Sequence, residues 1–327
     1  MLLSVLKHWI EDRKWIVDVL HDIHQDVPSE LAATGVNVFS SANPKDYDFA
    51  IVNTIVSANF LESLGPQVPT VLWVHEGETV LWTSQWRPAQ WRHLFGLPQR
   101  IIFQSRWQSE SVFRSFLVGT PQGRVSCVAN GMPSLPANLV PKPKVNHKKR
   151  IVFIGGVYGR KRPQDLVDAV LGLDRNDVEC LFIGTTDGVE TIGDVHIDRI
   201  RSRPDIFQLL GELDRRTALE YLISADAFCL PSGDESQPIA PLEAASLRVP
   251  CALTDLPPYA GSWVHGHNCL LSPVGDSTLL RWNIRALLDD PSLRNPIVER
   301  AIQFARQFAI ESFFQRFDAE MPSALDK

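Results

Sequence analysis

Short runs of β-branched and aromatic residues recur along this chain, and each is followed by a longer stretch with helical spacing. A first series lies at 15–20, 36–39, 48–53, 70–75, 100–104 and 125–128. A second lies at 150–154, 180–183, 207–210, 227–230 and 250–254. Several runs are almost continuously apolar, as strands are when helices cover both faces of a sheet. Strand and helix in alternation build parallel sheets. At 327 residues the chain exceeds what one hydrophobic core usually serves. The expected fold class is therefore α/β, with two Rossmann-like doubly wound parallel-sheet domains.

The stretch SLPANLVPKPKVNHKKR, residues 134–150, separates the two series. Its three prolines and basic end read as a solvated connection. The expected division is 1–140 for a first domain, 141–150 for a linker and 151–305 for a second domain. Residues 306–327 are expected to form a helix returning to the first. The first domain opens on a helix from Leu2 to Asp12, where such domains normally open on a strand and a tight loop. It is expected to be reduced, without that first strand.

Composition excludes several classes. A net charge of −6 argues against a general nucleic-acid binder. No run approaches 18 apolar residues, and Lys7 breaks the opening MLLSVL too early for a signal-peptide core. The five cysteines, Cys127, Cys180, Cys229, Cys251 and Cys269, form no CxxC pair. Reduced core thiols in a cytosolic protein are expected rather than a metal site or disulfide framework. DYD at 46–48 leads into a strand at its amino end and reads as a turn, not as a metal-binding motif.

The chemistry-bearing residues gather after three strands. In DAFCLPSGDESQPIAPLEAAS, a strand, a loop and a helix follow in order, with Glu235 and Glu243 eight residues apart. That spacing by itself shows nothing, because Glu212 and Glu220 share it on what reads as an exposed helix. Pro241 is the informative residue: lacking an N–H, it fits only in the first turn of a helix. This puts Glu235 in the loop and Glu243 on the second helical turn, with free backbone N–H groups near Ile239 and Ala240 between them. Helix starts attract anions. A ligand with an anionic middle and a polyol at each end, such as a nucleotide-sugar, fits that description.

In IVFIGGVYGRKRPQDLVDAV, a strand runs into Gly155 and Gly156, then Arg160, Lys161 and Arg162. Glycines let backbone approach a ligand closely, and the cations suit a diphosphate leaving group without a metal. The spacing matches neither a P-loop nor GxGxxG. In VLWVHEGETVLWTSQWRPAQWRHLFG, a strand ends at His75 and Glu76, and Trp82, Trp86 and Trp91 follow. Indoles serve equally as core or as an acceptor-facing wall, and both readings stay open here.

Together these segments, with RIIFQSRWQSESVF, VSCVANGMP, LLGELDRRTALEYL and SWVHGHNCLLSPVGD, resemble the retaining glycosyltransferases of family four, which have the GT-B fold. The resemblance covers most of the chain from about Asp48 onward. It implies that Glu235 contacts the hydroxyls of the donor sugar and Glu243 holds the ribose. The backbone of Ser236, Gln237, Pro238, Ile239 and Ala240 would face sugar and diphosphate. Lys161 and its arginine neighbours would bind the diphosphate beside Gly155 and Gly156, with base readout near Leu213. His75 would lie near the donor sugar and the acceptor, with Glu76, Trp82 and Trp86 on the acceptor side.

The resemblance implies a metal-independent transfer with no cofactor, from a nucleoside-diphosphate-sugar to a glycan or lipid-linked acceptor. Membrane contact would be peripheral at most. The sequence departs from the family pattern in three places. Gly156 stands where an arginine is usual, and Arg248 where a glycine is usual. The first strand and its glycine loop are absent before Leu2, which implies a reduced domain or one completed by another chain. Two other readings remain: a nucleotide-sugar-binding partner subunit without transfer activity, and a sugar-nucleotide epimerase on the same fold.

Overall fold

The computed structural model describes residues 1–20, 31, 34–84, 86–186 and 194–322. The chain divides into two compact units, Met1–Pro133 with Ala309–Lys327, and Ser134–Phe308. The end of the tail, 323–327, lies outside the described residues.

In unit 1, β1 (Asp18–Leu20) and β2 (Asn37–Phe39) pair in parallel as a separate two-stranded sheet. The main sheet has four parallel strands in sequence order, β3 (Ala50–Asn53), β4 (Thr70–Val74), β5 (Arg100–Phe103) and β6 (Val125–Cys127). β4 is buried along its whole length, in keeping with its uninterrupted apolar sequence. One face of the sheet packs on Leu61, Trp91, Phe95 and Phe113. The other carries Trp73 against Phe313 and Phe317 of the helix Ile310–Asp318. That helix approaches so closely that a Cβ at Gly131 would sit 2.6 Å from Cβ of Phe313. It is also tied to the first helix: Trp9 Nε1 donates to Asp318 at 2.9 Å, and the His8 ring is 3.0 Å from the same carboxylate.

Unit 2 holds one six-stranded parallel sheet. Its strands are β7 (Lys149–Ile154), β8 (Val178–Ile183), β9 (Phe207–Gly211), β10 (Ala227–Leu230), β11 (Cys251–Thr254) and β12 (Leu270–Ser272). Their spatial order is β12-β11-β10-β7-β8-β9. The chain therefore winds outward from β7 to β9, returns to the other side of β7, and winds outward again. This is the doubly wound order of dinucleotide-binding sheets, with its reversal between β7 and β10. β12 was not expected from the sequence. It has only three residues and is recognisable by its parallel register with β11, Ala252 opposite Leu270.

The proline-rich stretch 134–150 falls within unit 2. Arg150 holds it down. Its guanidinium donates to the carbonyls of Lys142 and Pro143, at 3.0 and 2.6 Å. Lys142 in turn pairs with Glu220 at 2.9 Å. Glu220, which reads as exposed in the sequence, is buried for this reason. Cys127 departs in the opposite direction from the core position expected. It is exposed, because β6 is the edge strand of its sheet, whereas Cys180, Cys229, Cys251 and Cys269 are buried. The sequence 46–48 forms a short turn before β3, where Asn43 donates to Asp46.

Candidate active site

Ligands of open α/β sheets bind at the carboxyl ends of strands where the winding reverses. In unit 2 that place is flanked by the turn after β7 and the loop after β10, both sequences singled out above. Gly155 leaves β7 with φ +152°, a conformation that favours glycine. The neighbouring turn touches it: a Cβ at Gly184 would sit 2.1 Å from the carbonyl oxygen of Gly155. The Tyr158 ring covers Gly156, so closely that a Cβ there would meet a ring carbon at 1.8 Å.

The three cations that follow do not act alike. Arg162 takes up a left-handed backbone conformation, φ 48°, at the start of the helix Pro163–Leu171. Its guanidinium turns to Asp165 in that helix's first turn, with contacts of 2.6 and 3.1 Å. Arg160 and Lys161 take a different carboxylate as partner. Lys161 Nζ lies 2.5 Å from Oε1 of Glu235, and Arg160 lies 3.6 Å from Oε2. Arg160 also donates to the Asp234 carbonyl at 2.8 Å, while the Gly233 N–H donates back to the Arg160 carbonyl at 2.9 Å. The two loops are thus closed on each other. Ser232 Oγ adds a 2.7 Å bond to Glu235, which is buried to 5% exposure.

Residues 236–240 follow, half-buried. The helix begins at Ala240, with Ile239 as its cap and Pro241 in its first turn. Glu243 therefore falls on the first turn and not the second, because the helix starts later than the earliest start Pro241 permits. Burial pushes the Glu243 carboxyl above its usual range, against the opposing effect of Arg215. Arg215 reaches Oε1 of Glu243 with Nε at 2.8 Å and a terminal nitrogen at 2.7 Å. Leu213 is half-buried two residues before Arg215, just past the end of β9. Ser232, Tyr158 and Arg215 were missed by sequence reasoning. Arg215 alone left a signal, taken up below.

In unit 1, His75 follows β4, and both its ring nitrogens are engaged. Nε2 lies 2.7 Å from Asn53 Oδ1 and Nδ1 lies 2.5 Å from Gln104 Nε2. Asn53 ends β3 and Gln104 follows β5, so three adjacent strand ends converge on the imidazole. An amide oxygen on one side and an amide N–H on the other suit the neutral ring. Burial lowers the His75 pKa from 6.5 to about 4. The unfolded chain takes up this proton near pH 6.5 and the folded chain only near 4. Stability should therefore fall as pH drops through that window, by about 3 kcal/mol for this group, and fall no further from it below pH 4. Acid titration of the melting temperature of wild type and His75→Gln checks this: the variant should lose less over the window. Equal losses would contradict it.

Glu76 turns inward. Its carboxylate accepts from Thr54 Oγ1, from the Ile55 N–H at 3.1 Å and from the His75 N–H at 3.0 Å. Burial raises its pKa and the backbone donors oppose this. The tryptophans divide. Trp73 and Trp91 are core. Trp86 packs edge-on against Trp91 at 4.8 Å, and Trp82 is 77% exposed.

Two parallel-sheet α/β units, the second doubly wound with cations converging at its winding reversal, define the two-domain GT-B class of nucleotide-dependent folds. Residues 137–304, just over half of the chain, match the family described as glycosyl transferases group 1, and the chain belongs to that family. Among curated proteins it is similar to a phosphatidyl-myo-inositol mannosyltransferase of Mycobacterium leprae, 28% identical over 211 residues. That alignment covers 62% of this chain but only about half, 52%, of the relative. It is also similar to a processive diacylglycerol alpha-glucosyltransferase of Acholeplasma laidlawii, 24% identical over 72% of this chain and 76% of the relative. Among solved structures, Alr3699/HepE of Anabaena in complex with UDP and glucose has the same fold. It superposes with a TM-score of 0.78 at 15% identity, covering 97% of this chain and 94% of that one.

Proposed function

We propose that this chain is a retaining glycosyltransferase that moves a hexose-type sugar from a nucleoside diphosphate to a lipid-linked or glycan acceptor. The observation that carries the reading is the convergence of Lys161, Arg160, Ser232 and Glu235 at the winding reversal of unit 2, with Glu243 on the helix that follows. Lys161 has three donors and can hold Glu235 and a phosphate oxygen together. Glu235 then sits where it can accept from sugar hydroxyls, and Lys161 and Arg160 where they can meet charge growing on the diphosphate.

In the reaction the bond from the anomeric carbon to the diphosphate oxygen breaks, and a bond to the acceptor oxygen forms on the same face. The acceptor's proton passes to the departing phosphate oxygen. Two cations supply the charge stabilisation, so the reading assigns no role to a metal or cofactor. Both curated relatives carry lipids in their names, which favours the lipid-linked acceptor. The exposed Trp82 and Val56 of unit 1 suit an apolar or sugar-bearing acceptor better than bulk water. Among the described residues, no helix is long and apolar enough to cross a membrane.

A melting-temperature panel of nucleoside diphosphates and their sugars tests the donor half. A ligand at a hundred times its dissociation constant should add about 2.7 kcal/mol of stability. The expected result is a shift with one base family. No shift with any member would overturn the reading. Binding without turnover over a lipid and glycan acceptor panel would reassign the chain as a binding subunit, and isomerisation of the donor without acceptor would reassign it as an epimerase.

A further inference from the structure

The helix Arg215–Leu222 begins with two arginines behind an Asp214 cap and has no acidic residue in its first turn. Cations at the positive end of a helix are disfavoured, so the pair needs partners elsewhere. Each arginine has them. Arg216 donates to the carbonyl of Asn138 at 2.8 Å. Arg215 donates to the Ser134 carbonyl at 3.1 Å and grips a single oxygen of Glu243, Oε1, with two nitrogens at 2.8 and 2.7 Å. Glu243 is buried to 8% exposure, while Arg215 is partly open to solvent. The cation thus approaches a buried carboxylate from the side of Oε1, and the contacts of Arg215 leave Oε2 to the other side.

We propose that Arg215 is a positioning residue for nucleotide recognition. It holds Glu243 oriented so that its other oxygen accepts from the vicinal hydroxyls of the donor ribose. The proposal rests on the donor-site reading above, in which Glu243 faces the ribose. It adds a residue from a different element, at the carboxyl side of β9, that decides how sharply ribose is distinguished from deoxyribose. Its anchor on Ser134 limits the geometries Arg215 can adopt. A lysine in its place could keep the charge but not the forked grip on one oxygen.

The test is a ratio measured within each protein. Dissociation constants are determined by calorimetry for the ribonucleoside diphosphate that the panel selects and for its 2′-deoxy counterpart. Wild type should prefer the ribo form about tenfold or more, the scale of one hydrogen bond to a charged group. Arg215→Leu should bring the ratio to within about twofold of one, and Arg215→Lys should restore part of it. Because both ligands meet the same variant, a general loss of stability does not move the ratio, and melting curves confirm folding. A wild-type preference that Arg215→Leu preserves overturns the role of Arg215 alone. A wild-type ratio near one removes the ribose role of Glu243, and the proposal with it, while leaving diphosphate binding by Lys161 standing.

Discussion

Lys161→Met should lower kcat for sugar transfer about 10²- to 10³-fold, the cost of about 2.7–4 kcal/mol seen when one preorganised donor to a developing oxyanion is lost. The ammonium lies in the crevice with its side chain 12% exposed, so solvent screens it little. Its neighbour supplies the contrast. In the proposed function Glu235 shares Lys161 with the diphosphate, so a carboxylate and a phosphate compete for one ammonium. Glu235→Gln should therefore bind the free nucleoside diphosphate more tightly, by about three- to tenfold from the removed competition. The same variant should transfer sugar more slowly, because an amide is a weaker acceptor for sugar hydroxyls than a carboxylate. Opposite movement of affinity and rate is the signature. Steady-state kinetics with the selected donor, beside calorimetry with the nucleoside diphosphate, measures both. Tighter nucleotide binding in Lys161→Met, or unchanged transfer in Glu235→Gln, would remove these residues from the roles assigned.

The division between Arg160 and Arg162 shows where sequence reasoning reaches its limit. Three consecutive cations after a glycine turn are equivalent in the sequence. They become distinct only because Arg162 adopts a left-handed backbone and finds Asp165 three residues on, while Arg160 stays on the side of Glu235. Of the two arginines that could replace the one missing at Gly156, the geometry favours Arg160. Strands were legible for a simple reason: buried parallel strands need unbroken apolar runs. β12 escaped because three residues make no run. Arg248 illustrates the converse. It stands where the family resemblance has glycine, and its φ of +65° explains that preference.

Side chains that act across elements left weaker traces. Glu220 and Glu243 are both carboxylates on helices, and both read plainly in the sequence. Their partners, Lys142 and Arg215, come from segments far away in the chain. Two arginines at a helix start, Arg215 and Arg216, are a local anomaly that went unread, and by itself it does not say what Arg215 holds. His75 was expected near the chemistry from its place at a strand end. The structure adds that Asn53 and Gln104 occupy both its nitrogens. In the ground state it is a neutral ring held in place, suited to orienting a neighbour rather than to free proton exchange.

The second large effect concerns the stretch that joins unit 2 to the preceding chain. Arg150→Met should destabilise unit 2 by about 3–5 kcal/mol, the usual cost of removing one partner of a buried ion pair. Arg150 and Glu179 face each other across β7 and β8 at 2.7 Å, both side chains only 2% exposed. Without the guanidinium, Glu179 keeps no opposite charge, and the carbonyls of Lys142 and Pro143 and the Ser224 hydroxyl lose their donor as well. Glu179→Leu should cost less, because Arg150 retains those three acceptors. The double variant Arg150→Met/Glu179→Leu should recover much of the loss, since no charge is then buried unpaired. Urea denaturation of the four proteins measures the cycle. Equal costs for the two single variants would mean that the carbonyl contacts carry nothing and that the stretch 134–150 is not held by Arg150. A double variant no more stable than Arg150→Met would mean that the anchoring of this stretch, and not the buried charge, sets the cost.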